Sequence, residues 1–99
     1  MSSNVPSKEF WDRADEIIRI ANEQCKNTSD GKVSSSLLYA AARFNAFIIA
    51  STSEDVSDLM KNKDEALNYY CDQYRKMLIE NLDDNIDNYA KYFKEDIDR

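Results

Sequence analysis

The chain has 99 residues with one glycine, one proline, no histidine and a formal net charge of -6. That length is enough for one domain with its own core, and so few turn-forming residues exclude the all-β architectures. An acidic surface works against nucleic-acid backbones and anionic lipid heads, and a chain without histidine lacks the commonest general base and zinc ligand.

Residues 1–6 read as a frayed tail, and residues 7–99 as a single helical domain. No basic stretch followed by an apolar run opens the chain, so no secretory signal is expected. Ser7 is a good N-cap, with Glu9 in the first turn to favour the helix dipole. A first helix then runs to about Lys26. Phe10, Ala14, Ile17, Ala21 and Cys25 form its apolar stripe, with Trp11 and Ile18 beside it. Glu9–Arg13 and Asp15–Arg19 are expected as i,i+4 ion pairs on its wet side. Asn27 to Lys32 reads as a turn in which Gly31 supplies a positive φ.

Ser34 or Ser35 is the expected cap of a central helix ending near Ser51. Its stretch LLYAAARFNAFIIA, from Leu37 to Ala50, is broken only by Arg43 and Asn45. At about 100° per residue, Leu37, Ala41, Phe44 and Ile48 fall on one face and Leu38, Ala42, Ala46 and Ile49 on a second. Two stripes that nearly merge call for neighbours on at least two sides, because a surface helix shows one stripe a little over about 100° wide. The run itself falls short of the roughly twenty apolar residues that cross a bilayer. Leu38, Phe44, Ile48, Ile49, Ile17, Ala21 and Tyr74 are therefore the expected core.

Ser51 to Ser57 reads as a second polar connection with one loose turn through Leu59 and Met60. Asp64 is the expected cap of a third helix, which carries Leu67, Cys71, Tyr74 and Leu78 on one face. Leu82, Ile86, Tyr89, Phe93 and Ile97 form a further helical stripe, rotated by roughly 70° from the preceding one. A continuous heptad seam meets asparagine at 81, 85 and 88, and Asp84 with Asp87 resembles a capping box. A break or kink is expected at Asp83–Asp84, the alternative being a continuous helix that turns its apolar side to a different neighbour. With short connections the consecutive helices pack antiparallel. The expected fold class is all-α, a small antiparallel helical bundle of three main helices plus a C-terminal helical segment.

The sequence offers little chemistry. Cys25 and Cys71, 46 positions apart, form no metal motif and read as reduced, core-facing thiols of a cytoplasmic protein. No glycine-rich phosphate loop is possible with one glycine. Asp83, Asn85 and Asp87 match the first ligand positions of a calcium-binding loop, but Asn88 stands where glycine is required and Lys94 where the bidentate glutamate is required. No catalytic residue, cofactor or metal is expected. Asn45 lies between the two apolar faces, where an amide needs partners or costs about 1–3 kcal/mol. It reads as a bonded structural asparagine, a register-fixing group at a symmetric contact, or part of a ligand pocket. Arg43 lies on the open strip with Tyr39 and Phe47 one turn to either side, placed to stack on those rings or to anchor an anion or partner. Tyr69, Tyr70, Tyr74, Tyr89 and Tyr92 suit an interface or an amphipathic edge equally.

Phe10–Trp11, ANEQCK at 21–26, GKVSSSLLYAAARFNAF at 31–47, and YRKML with Asn81–Leu82 at 74–82 resemble a family of small proteobacterial helical proteins of uncharacterised function. The resemblance runs to about Asp84. It implies a compact helical domain and carries no activity, ligand or catalytic residue with it. The functional expectation is a non-catalytic interaction or regulatory module, a homodimer with room for an unidentified protein partner, without nucleic-acid or membrane binding. The alternative is a domain that binds a small ligand near Asn45 and Arg43. Tyr39, Arg43, Asn45 and Phe47 are the candidate interaction or ligand residues.

Overall fold

A computed structural model describes residues 6–94. The expected tail at 1–6 lies outside the described residues except for Pro6, and so does Ile97. The fold is all-α. Helices α1 (Lys8–Gln24), α2 (Asp30–Ser51) and α3 (Val56–Asp87) are followed by a short π-helical piece, Ala90–Lys94, and the described residues contain no strand. The chain divides into two compact units, residues 1–48 and 49–99.

In the first unit, α1 and α2 form an antiparallel hairpin. Ser7 caps α1 as its sequence suggests, its hydroxyl accepting from the Phe10 amide at 3.2 Å. Arg19 pairs with Glu16 at 2.7 Å rather than with Asp15, and Lys8 pairs with Asp12 at 2.8 Å. The Arg19 guanidinium, by hydrogen bond and then by charge, lowers the Glu16 carboxyl below its ordinary range. Both pairs lie in water, where such contacts add little to stability.

The turn between the helices is shorter than expected. α1 ends at Gln24 with Cys25 as its C-cap, and α2 begins at Asp30. Ser29 is the cap of α2, in place of Ser34 or Ser35; its hydroxyl accepts from the Lys32 amide at 3.3 Å. Gly31 therefore sits in the first helical turn and has no positive φ. The Asp-Gly pair signals a turn only where no cap precedes it; here Ser29 supplies the cap and the glycine is simply carried into the helix.

The seam of the hairpin is made of small side chains. Ile17, Ile20, Ala21, Val33, Leu37 and Ala40 line one half-open cleft between the two helices, with Gln24 and Ser36 at its rim. Val33 is the one buried residue among those described, at 6% exposure. Ala14, Ala21 and Cys25 are half-buried. The expected core is corrected here. Ala21 and Ile49 are half-buried, while Leu38, Phe44, Ile48, Ile17 and Tyr74 are exposed. The physical reason is coverage. One neighbouring helix shields only part of the circumference of α2, which leaves Leu38 in water, and the shared cleft covers only part of its length, which leaves Phe44 and Ile48 exposed beyond it.

In the second unit, α3 starts eight residues before the expected cap at Asp64. Asp55 is its N-cap, accepting from the Asp58 amide at 2.8 Å. Asp58 reaches back to accept from the Glu54 amide at 3.0 Å, closing a reciprocal box of two aspartates. That box converts an acidic stretch without apolar periodicity into a helix start. The less exposed positions of α3 are Leu59, Asn62, Ala66, Tyr70 and Gln73. This stripe lies one residue, about 100°, away from the expected face of Leu67, Cys71, Tyr74 and Leu78.

The expected break at Asp83–Asp84 is absent. α3 continues to Asp87 and ends on Asn88. Asn81 and Asn88 are accommodated because each amide bonds back onto its own helix. Asn81 donates to the Met77 carbonyl at 2.8 Å; Asn88 donates to the Asp84 carbonyl at 3.1 Å and to its carboxylate at 2.9 Å. The Tyr92 hydroxyl donates to the same carboxylate at 3.1 Å across the helix end, which raises its pKa above the ordinary phenol value. Because Asp83, Asn85 and Asp87 lie on this continuous helix, they form no calcium loop.

Two substitutions test these ends by urea denaturation. Asp55→Ala is expected to cost about 1 kcal/mol, with Asp55→Asn nearly neutral. No atom lies within 4 Å of where a Cβ on Gly31 would sit, so Gly31→Ala is expected to stabilise by about 0.5–1 kcal/mol.

Candidate interaction surface

Among the described residues no group of three or more Cys, Asp or Glu is placed to hold a metal. The hairpin cleft is about 210 Å³, below the roughly 300–1,000 Å³ of ordinary small-molecule pockets. Its lining is aliphatic, with Gln24 and Ser36 as the only polar side chains.

The four candidate residues all lie on α2. Tyr39, Arg43 and Phe47 follow one another at one-turn intervals, and all are exposed. Asn45 is half-buried. Two positions along a helix turn through about 200°, so Asn45 lies nearly opposite Arg43. The helix gathers Tyr39, Arg43 and Phe47 on one side and leaves Asn45 out of that group. Arg43 and Asn45 thus face different sides of α2.

What α2 presents instead is apolar surface. Leu37, Leu38, Tyr39, Phe44, Phe47 and Ile48 are all exposed. Phe44 and Phe47 lie on the side of α2 that carries Val33, Leu37 and Ala40, the side facing α1. Phe10 lies about two turns before Ile17 and Phe44 about two turns after Leu37; because Ile17 and Leu37 line the same cleft of the antiparallel hairpin, both rings belong to its far end. Phe10 packs edge-on against Trp11, their ring centres 4.9 Å apart. All four rings are nevertheless exposed. Sequence periodicity placed Phe10 and Phe44 on apolar stripes, but these stripes alone did not reveal that their aromatic end is uncovered.

α2 is also longer than the apolar run read from sequence. Its 22 residues, at a mean hydropathy of 1.3 over the best window, are by length and composition enough to cross a membrane. The earlier cap at Ser29 supplies the additional residues.

The thiols differ from expectation. Cys25 is half-buried and Cys71 is exposed. Partial burial, and then the neighbouring Asp30 carboxylate, push the Cys25 thiol above its ordinary value.

The chain belongs to the DUF3144 family of proteins of unknown function, whose model matches residues 10–86. It is similar to the protein NB7890A from Shewanella sp., known from an NMR structure. The two are 36% identical, with 92% of this chain and 93% of that one covered and a TM-score of 0.73. No curated protein matches the chain. The match extends across the hairpin and most of α3, the same stretches on which the family resemblance rests.

Labelling kinetics test the thiol assignment. In the native state Cys71 is expected to react at a rate close to that of the denatured chain, and Cys25 several-fold more slowly, since the thiolate is the reactive form. Single Cys25→Ser and Cys71→Ser variants separate the two rates.

Proposed function

We propose that this protein is a non-catalytic interaction module that acts as a self-associating helical unit. The observation that carries this reading is the exposure of large apolar side chains along α2. Fully burying a Leu or Phe side chain is worth about 1.5–3 kcal/mol. Half a dozen such side chains left in water on one helix amount to a driving force comparable with the whole stability of a small domain. Contiguous exposed apolar surface on a soluble chain marks a place where something docks.

Self-association is the simplest occupant, since two-fold dimers are the commonest assemblies. Insertion of α2 into a bilayer is less favourable. It would carry Arg43 and Asn45 into the apolar layer, where an arginine near the centre costs about 2.5–3.5 kcal/mol. A catalytic role lacks its commonest general base, since there is no histidine, and the hairpin cleft has Gln24 and Ser36 but no carboxylate among its lining side chains.

Sedimentation equilibrium from about 1 to 100 μM tests this reading, a range that brackets ordinary weak dimers. The expected result is a reversible rise in mass towards twice that of the 11.5 kDa chain. A single species of chain mass throughout would refute it.

A further inference from the structure

We propose that the open aromatic end of the α1–α2 hairpin, formed by Phe10, Trp11, Phe44 and Phe47, is the contact surface for a second copy of this chain. The inference rests on the self-association reading and specifies where on the molecule it happens. Its first support is area. The four rings are 39%, 52%, 65% and 68% exposed. At about 150–250 Å² per aromatic side chain, they leave roughly 450 Å² of apolar surface in water. A standard interface buries about 800 Å² per partner, of which about 56–65% is apolar. The patch therefore meets the apolar requirement of one half of a stable interface. Aromatic rings are also the side chains most enriched at such surfaces.

Its second support is the distribution of charge. Residues 1–48 contain six Lys and Arg and six Asp and Glu, whereas residues 49–99 contain seven and thirteen. The whole net charge of -6 thus belongs to the second unit, and the hairpin unit is neutral. Two neutral hairpins can meet without long-range repulsion. A contact made through the second units would bring together two like-charged surfaces, which weakens association and slows encounter. A basic partner would find no net negative charge on the hairpin unit. A second copy is the occupant that both area and charge favour.

Trp11 is the only tryptophan, so its fluorescence reports on this patch directly. The wild-type chain, Phe44→Ser/Phe47→Ser and Tyr89→Ser/Phe93→Ser are compared by sedimentation equilibrium, with far-UV circular dichroism recording helix content. Dilution of the wild-type protein is expected to shift Trp11 emission to the red over the concentration range in which the mass falls. The Phe44→Ser/Phe47→Ser variant is expected to dimerise at least tenfold more weakly with its helix content retained, because both rings already face water. The Tyr89→Ser/Phe93→Ser variant is expected to keep the wild-type constant. A wild-type dimer whose Trp11 emission does not change on dilution, or that survives loss of both phenylalanines, overturns this surface while self-association stands. A wild-type chain that stays monomeric overturns both. A blue shift of Trp11 with neutral phosphatidylcholine vesicles in a monomeric chain would assign the patch to lipid and likewise overturn the proposal.

Discussion

The hairpin depends on how closely α1 and α2 can approach. Their contact is one cleft lined by Ile17, Ile20, Ala21, Val33, Leu37 and Ala40. It limits what is buried, since a helix with one close neighbour shields only the arc that faces it. Val33 is buried there, whereas Phe44, on the same side of α2 about three turns further along, is exposed. A helix as apolar as α2 is therefore held by a contact too narrow to cover it. The exposure of its aromatic side chains follows from that mismatch.

The second unit is organised differently. α3 runs for 32 residues and is held at its ends by carboxylates rather than by apolar anchors. Asp55 and Asp58 start it, and Asp84 receives Asn88 and Tyr92 where it finishes. The acidic residues that give the chain its net charge thus have local structural work at both ends of this helix. Their abundance does not by itself indicate a basic partner. The hairpin unit, neutral overall, is where exposed aromatic surface and freedom from repulsion coincide.

Much of the architecture is legible in the linear chain. Three apolar periodicities, two polar connections and a near absence of glycine and proline dictate helices joined by short links, and Ser7 announces its own helix. The misplaced boundaries share a cause. Ser29 and the Asp55–Asp58 pair cap helices whose first turns hold too few apolar residues to show a stripe, Val33 in one and Val56 and Leu59 in the other, so the periodic signal is legible later than the helix begins. The expected break near Asp84 fails for a related reason. Asn81 lies inside the helix, where its amide donates to the Met77 carbonyl, and Asn88 is the C-cap, where its amide donates to the Asp84 carbonyl and carboxylate.

The candidate residues show where linear reading stops. Periodicity alone identifies Tyr39, Arg43 and Phe47 as one side of α2 and Asn45 as the other, because a helix fixes angles between its own residues. It also shows that Phe44 is apolar on an apolar face. It carries no information on how many neighbours that face meets or how near they come, since those depend on contacts between segments distant in sequence. Sequence determined the helical class, the identity of the stripes and the poverty of catalytic chemistry. Tertiary structure decided that the stripes are mostly uncovered, because coverage is set by the spacing of packed helices and not by the pattern along any one of them.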